Sequence, residues 1–330
     1  MGGLMTMGQT GAGLAGILRS VVGGAGLGLL AMTTQATAIE TGDLDALREK
    51  ALAVMNADRA EHDLPPLSLE ESLNAAAQAH AVEMIEEDYF AHVSPDGVSP
   101  QDRYLDEGGS RAKLVEENIA RCSECPLPPG EERVESFEQG WMNSPGHRRN
   151  ILAEGLETFG FGIAGEDGRI VAVQTFAGPG TSPAHGPDQS AEAVPEAQRS
   201  EELIALLNRA RERQGLSGLK SNETLAQTAQ ALLPESPDDI LEQDGEQDLF
   251  AALPEAARND WRSLRVVSAG CGGCGTEITD SDLHFFKDQW LDNPQFASAI
   301  RSERFGQAGA AFLSNGDGAK RAILVLGVER

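Results

Sequence analysis

The feature that most constrains this chain is that one pattern occurs in it twice. At a fixed offset, Asn56, Arg59, Leu64, Leu67, Glu71, Leu73, Ala77, Gln78 and Ala79 recur as Asn208, Arg211, Leu216, Leu219, Glu223, Leu225, Ala229, Gln230 and Ala231. Further on the offset shortens slightly. Cys122, Cys125, Trp141, Pro145 and Ile151 then recur as Cys271, Cys274, Trp290, Pro294 and Ile300, and Glu157-Thr-Phe-Gly160 meets Glu303-Arg-Phe-Gly306. Two copies of so long a period exclude a solenoid and predict two domains of like fold. Between them, residues 179–199 are rich in Pro, Ala, Ser and Gly without hydrophobic periodicity, which reads as a linker. The domains are therefore placed at 39–178 and 200–330.

Within the first copy, Leu44, Leu47, Ala51, Val54 and Met55 follow helical spacing, as do Leu73, Ala76, Ala77, His80, Ala81 and Met84. Val134, Phe137 and Trp141 mark a third amphipathic helix. Ser68-Leu69-Glu70-Glu71 reads as a capping box, and Ser99-Pro100 and Ser144-Pro145 as N-caps followed by proline. Residues 158–165 and 169–176 read as strands turning at Glu166-Asp167-Gly168. Helices first and an antiparallel pair last predict an α+β domain with helices covering a small sheet.

The first 38 residues hold a single charge, Arg19, then an apolar Gly-rich stretch and Ala36-Thr37-Ala38. That order predicts a secretory signal peptide over 1–38 and a secreted or periplasmic protein. The rest of the chain has no apolar run long enough to span a bilayer, so it is not expected to be an integral membrane protein. The net charge of −26, from 52 acidic and 26 basic residues, argues against nucleic acid as a partner, because such binders need a basic face. The four cysteines form two C-x-x-C pairs, Cys122/Cys125 and Cys271/Cys274. They lie too far apart for a usual zinc ribbon, and neither follows a clear strand as a redox motif would. In an oxidising compartment they read as structural disulfides, closed within each pair in the simplest connectivity or cross-paired in the other.

The first copy resembles the CAP superfamily of cysteine-rich secretory, antigen-five and pathogenesis-related proteins (the SCP domain), in its secreted bacterial branch. The resemblance is carried by Asn56-x-x-Arg59, Leu64-Pro-Pro-Leu67, Ala79-His80-Ala81-x-x-Met84, Tyr89-Phe90-Ala-His92-x-Ser94-Pro95-x-Gly97 and Glu117-Asn118-Ile119. It is carried above all by Trp141-Met-Asn-Ser144-Pro-Gly-His147-Arg148-x-Asn150-Ile151-Leu152, ahead of Gly160-x-Gly162. It implies two tandem α-β-α sandwiches, each a mainly antiparallel sheet between helices. It also implies a cleft, since eukaryotic members converge two His and two Glu where a divalent metal can bind. His92 and His147 match the histidines and Glu117 matches one Glu. Ser144 occupies the place of the other, and Glu116 stands where the family usually has Gly.

Two imidazoles and a carboxylate suit zinc with an open position, or proton transfer near neutrality. The bland alternative is a hydrogen-bonded network that fixes loops on the sheet. No H-E-x-x-H or G-x-S-x-G occurs. His80 shares an apolar stripe, and its repeat partner is Leu232, so it reads as packing; His284, before Phe285-Phe286, reads as core. The second copy loses the cleft. Phe296 replaces His147, Asn293 replaces Ser144, Val266-Val267 replace Glu117-Asn118, and an acidic segment over 234–255 replaces the His92 region. It reads as a scaffold, a partner surface or a cover. The expectation is a secreted binding module whose first domain takes a metal ion such as zinc, a small apolar ligand or an envelope component. A metal-assisted hydrolase using the same residues, and a structural protein with a relic cleft, are the alternatives.

Overall fold

The computed structural model describes residues 39–183, 191–237 and 249–330. The expected signal peptide (1–38), the middle of the linker with His185, and half of the acidic segment (238–248) lie outside the described residues.

The first domain is a three-layer sandwich. Its sheet holds β1 (Ser68–Leu69), β2 (Leu114–Cys122), β3 (Thr158–Glu166) and β4 (Arg169–Gly178) in the order β1-β3-β4-β2. Only the short β1–β3 pairing is parallel. Strand periodicity explains why both faces are covered. Phe159, Phe161, Ile163, Ile170, Ala172 and Phe176 pack against Leu47, Ala51 and Met55 of α1 (Leu44–Ala60), Val134, Phe137 and Trp141 of α4 (Glu131–Met142), and Ile151 of α5 (Pro145–Ile151). The alternate residues Ala164, Val171 and Val173 pack against Ala77, Ala81, Met84 and Ile85 of α2 (Glu71–Glu86). Beyond α2, α3 (Pro100–Asp106) places Tyr104 against Leu73 and Ala177. The helix α2 lies almost on the strand. A Cβ on Gly160 would come within 2.2 Å of the Leu73 backbone, and one on Gly162 within 2.3 Å of Ala77. The G-x-G therefore makes room for a helix.

The second domain repeats this plan. Its sheet is β5 (Lys220–Ser221), β6 (Trp261–Cys271), β7 (Gln307–Ser314) and β8 (Lys320–Glu329), in the equivalent order β5-β7-β8-β6. One face packs on α6 (Glu196–Glu212), α8 (Asp280–Asp292) and α9 (Pro294–Ile300), the other on α7 (Glu223–Ala231). The helix α6 starts inside the segment read as linker. The repeated residues are structural pins. Asn56 bonds both the N–H and the C=O of Leu67, as Asn208 does with Leu219. Arg59 is fully buried and donates to the carbonyls of Pro65, Ile151 and Ala153, and Arg211 does the same with Ser217, Ile300 and Ser302.

The domains meet through the loop of the second cysteine pair. Gly273 N–H donates to the Ala112 carbonyl (2.6 Å) and Gly275 N–H to that of Pro179 (2.7 Å), while Cys274 N–H ties the loop to Gly318 of its own domain (2.9 Å). Gly273 sits at φ +67° with the Leu114 backbone 3.0 Å from where a Cβ would be, so a side chain there would be excluded twice. Next to this seam, a buried Lys320 ammonium bonds Asp282 (2.7 Å) and the Ser182 hydroxyl (3.1 Å).

Several local expectations need correction. Ser68 is no cap, because its backbone is committed to β1 beside β3; α2 instead starts after Glu70, without a side-chain cap. Ser99 does form a capping box with Asp102, whereas the Ser144 side chain makes no cap bond. Both cysteine pairs do follow strands, β2 and β6, and each closes within itself as a disulfide. His284 is exposed. The core stripe of α8 runs through Leu283, Phe286 and Trp290, about 100° away round the helix. Among the described residues no helix is long and apolar enough to cross a membrane.

Candidate functional site

Three elements bring the site together at the β2 edge of the first sheet. Glu117 lies on the β2 face turned towards α2 and α3, His92 on the loop after α2, and His147 on α5. The His92 Nδ1–H donates to Glu117 Oε1 at 2.8 Å. The Glu117 side chain is 3% exposed, while that of His92 is 48% exposed. The other carboxylate oxygen, Oε2, accepts from Arg103 Nη2 at 2.9 Å. The same nitrogen donates to the His92 carbonyl at 2.8 Å, and Nη1 donates to Val98 at 3.1 Å. One buried guanidinium thus fixes both the carboxylate and the loop that carries the imidazole.

His80 supports the same loop. It is fully buried, and its Nε2–H donates to the Ala91 carbonyl at 2.9 Å, next to His92. Burial pushes its pKa down, so the ring is neutral and its Nδ1 accepts from the Tyr89 hydroxyl (3.3 Å). Packing alone therefore understates its role. His147 is half-buried. Its pKa is lowered by burial first and by the nearby His92 second, which keeps it neutral at neutral pH. Its backbone is tied down by Asn118, whose amide donates to the His147 carbonyl (3.2 Å) and to Gln174 Oε1 (3.2 Å). Asn150 donates to the Glu117 carbonyl and to Asn118 Oδ1, both at 3.0 Å. Ser144 stands at the start of α5 and makes no side-chain bond to the His92–Glu117 pair.

This donor set does not suit a divalent cation. Both Glu117 oxygens are engaged, one of them by a buried permanent cation. The place of the second family carboxylate is held by a neutral hydroxyl. Among the described residues, no group of three or more His, Cys, Asp or Glu is arranged to hold a metal ion. What the site offers is an oriented, exposed imidazole. With Nδ1–H given to the carboxylate, Nε2 has no partner among the described residues and is open to a ligand.

Sequence reasoning missed Arg103, which had no signal beyond being one Arg in a polar helix. It also missed Gln174 and Glu138, where signals existed. Gln174 interrupts an apolar strand at a core-facing position, and Glu138 lies on the buried stripe of α4 beside Phe137 and Trp141.

Residues 52–176 match the family model described as the cysteine-rich secretory protein family, CAP. An uncharacterized protein of Bacillus subtilis, YkwD, is 34% identical over 137 residues, covering 42% of this chain and 49% of that one. An uncharacterized membrane protein of the same organism, YlbC, is 33% identical over 115 residues, covering 35% and 31%. The chain thus spans about half and about a third of the two curated relatives. A solved structure of an extracellular protein containing a SCP domain, from Bacillus anthracis, is 27% identical, covers 40% of each chain and superposes with a TM-score of 0.35. Residues 52–176 thus form a CAP domain, similar in sequence to the bacterial proteins named above.

Proposed function

We propose that the protein is exported and that its first domain binds a polar component of the cell envelope, with His92 as the contact residue. One observation carries this reading: an imidazole nearly half exposed, anchored through Nδ1 to a buried carboxylate that is itself locked by Arg103. Such an anchor fixes ring orientation and leaves Nε2 to hydrogen-bond a polar group of the ligand. The neutral His147 ring beside it adds a second donor–acceptor pair. The two disulfides fit an oxidising, extracytoplasmic compartment. A polar polymer suits this open, hydrogen-bonding surface better than a metal ion, for which the one carboxylate is already engaged by His92 and Arg103, or an apolar ligand, which would leave the imidazoles unsatisfied.

The test is co-sedimentation of the purified protein with insoluble cell-wall sacculi, with and without a chelator. Wild type is expected in the pellet in both conditions, and His92→Ala in the supernatant. Wild type that stays in solution, or His92→Ala that sediments equally, overturns the reading.

A further inference from the structure

We propose that the outer edge of β7 in the second domain docks an extended segment of a partner polypeptide, with an arginine of that segment as its anchor. This surface is independent of the His92 site.

The two copies differ at this edge of the sheet. The short strands β1 and β5 pair only with the first residues of β3 and β7, Ser68 with Thr158 and Lys220 with Gln307. That register places Ala310 at the position of Phe161, and Phe312 at that of Ile163. Beyond the short pairing, every second residue turns its backbone N–H and C=O outward. In the first domain side chains cover these groups. Asn74 Oδ1 accepts from the Phe161 N–H (3.0 Å), and the Arg48 guanidinium donates to the Phe161 carbonyl (3.2 Å). Gln78 bonds both the N–H (3.0 Å) and the C=O (3.1 Å) of Ile163. In the second domain Arg48 becomes Ser200 and Asn74 becomes Ala226. Ser200 Oγ accepts from the Ala310 N–H (3.0 Å), but among the described residues nothing bonds the outward Ala310 carbonyl or the N–H and C=O of Phe312. Bare edge groups are a template for strand pairing, which folded chains normally block. Here acceptor, donor and acceptor follow one another in the order an added strand would need.

This edge is the floor of a hollow of about 260 Å³, walled by Glu196 and Ser200 of α6 and by Glu223 and Gln227 of α7. The first domain has an open hollow in the same place, lined by Arg48 and Asn74, but there the strand is already covered. Arg48 also shows which side chain fits, because a guanidinium reaches the strand carbonyl from that position. A partner arginine would take the Ala310 carbonyl as Arg48 takes that of Phe161, while Glu196 and Glu223 supply the opposite charge. Arg199 lines the hollow too, but its Nε is engaged on the Val194 carbonyl (2.9 Å), and the two carboxylates outnumber it. The main chain of the segment then bonds Phe312. An acidic segment would meet Glu196 and Glu223 directly, and an apolar one would leave the Ala310 carbonyl unpaired.

The probe is an N-acetylated, C-amidated pentapeptide, VTRTV, with its citrulline analogue as the uncharged counterpart, each titrated into the isotope-labelled full chain and followed by amide NMR. The arginine peptide is expected to bind at millimolar concentration or below and to shift the Ala310 and Phe312 amides. The citrulline peptide is expected to bind about tenfold more weakly or worse, as loss of a charge-assisted bond implies. Ser200→Arg with Ala226→Asn rebuilds the covered edge of the first domain and is expected to abolish binding. If that double variant fails to fold, Glu223→Gln, at an exposed position, is expected to weaken binding about two- to fivefold. No binding at millimolar peptide, equal affinity for the citrulline peptide, shifts confined to other parts of the chain, or full affinity in a folded variant each overturns the proposal. So does a dimer of the free protein that the double variant abolishes, which would give the edge to a second copy.

Discussion

Arg103 Nη2 lies 2.9 Å from Glu117 Oε2, both side chains are buried, and that one nitrogen also holds the His92 carbonyl. Removing the guanidinium would strand a buried carboxylate. Arg103→Met is therefore expected to cost about 3–5 kcal/mol in urea unfolding, and the double variant with Glu117→Gln less than that. A double variant as unstable as the sum of the singles would refute the pairing.

The twin pins Arg59 and Arg211 give an internal comparison. Each is the donor to three carbonyls, and truncation leaves those carbonyls buried without partners. Arg59→Met and Arg211→Met are each expected to lose about 2–4 kcal/mol, since one unsatisfied buried acceptor costs about 1–3. Differential scanning calorimetry should show comparable losses. A loss for only one of them would mean that the repeat preserves the residue without its role.

Burial is the main cause that raises the Glu138 pKa to about 8. The folded protein then holds a proton that the unfolded chain releases near the ordinary glutamate value. Its stability is greatest below that value and falls as pH rises towards 8, by on the order of a few kcal/mol. Glu138→Gln is expected to flatten this fall and to be the more stable protein in mildly alkaline solution. Urea midpoints across that pH range would check it, and parallel profiles would contradict it.

Glycines should divide by what surrounds them. Gly160→Ala drives a methyl into the Leu73 backbone at 2.2 Å, whereas Gly140, inside α4, has open space around it. The first change is expected to destabilise by roughly 1–3 kcal/mol or more, and Gly140→Ala to stabilise by about 0.5–1. Paired melting curves decide it, and shifts of the same sign would show that α2 can move off the sheet.

The repeat was readable because its residues do structural work that both copies need: Asn56 and Arg59 hold loops, and Trp141 and Ile151 fill the core. The β3–β4 hairpin was readable because Asp167 and Gly168 both adopt positive φ, which the Asp-Gly turn supplies. Strand β2 was hidden by the very residues that make the site, since Glu116, Glu117 and Asn118 break its apolar pattern. His92, Glu117 and His147 were legible only through family resemblance. Their supports are another matter. Arg103 acts through a fold that its local sequence does not announce, and the polar chain from Asn150 through Asn118 and Gln174 to Glu138 runs between elements far apart in the chain.

The two disulfide loops look interchangeable in sequence but differ in reach. Cys122–Cys125 closes against its own hairpin, where Cys125 N–H donates to the Gly168 carbonyl. Cys271–Cys274 shapes the turn that grips the other domain. A reductant opening the former would be felt within a single hairpin, whereas opening the latter would slacken the clasp between the two halves of the molecule.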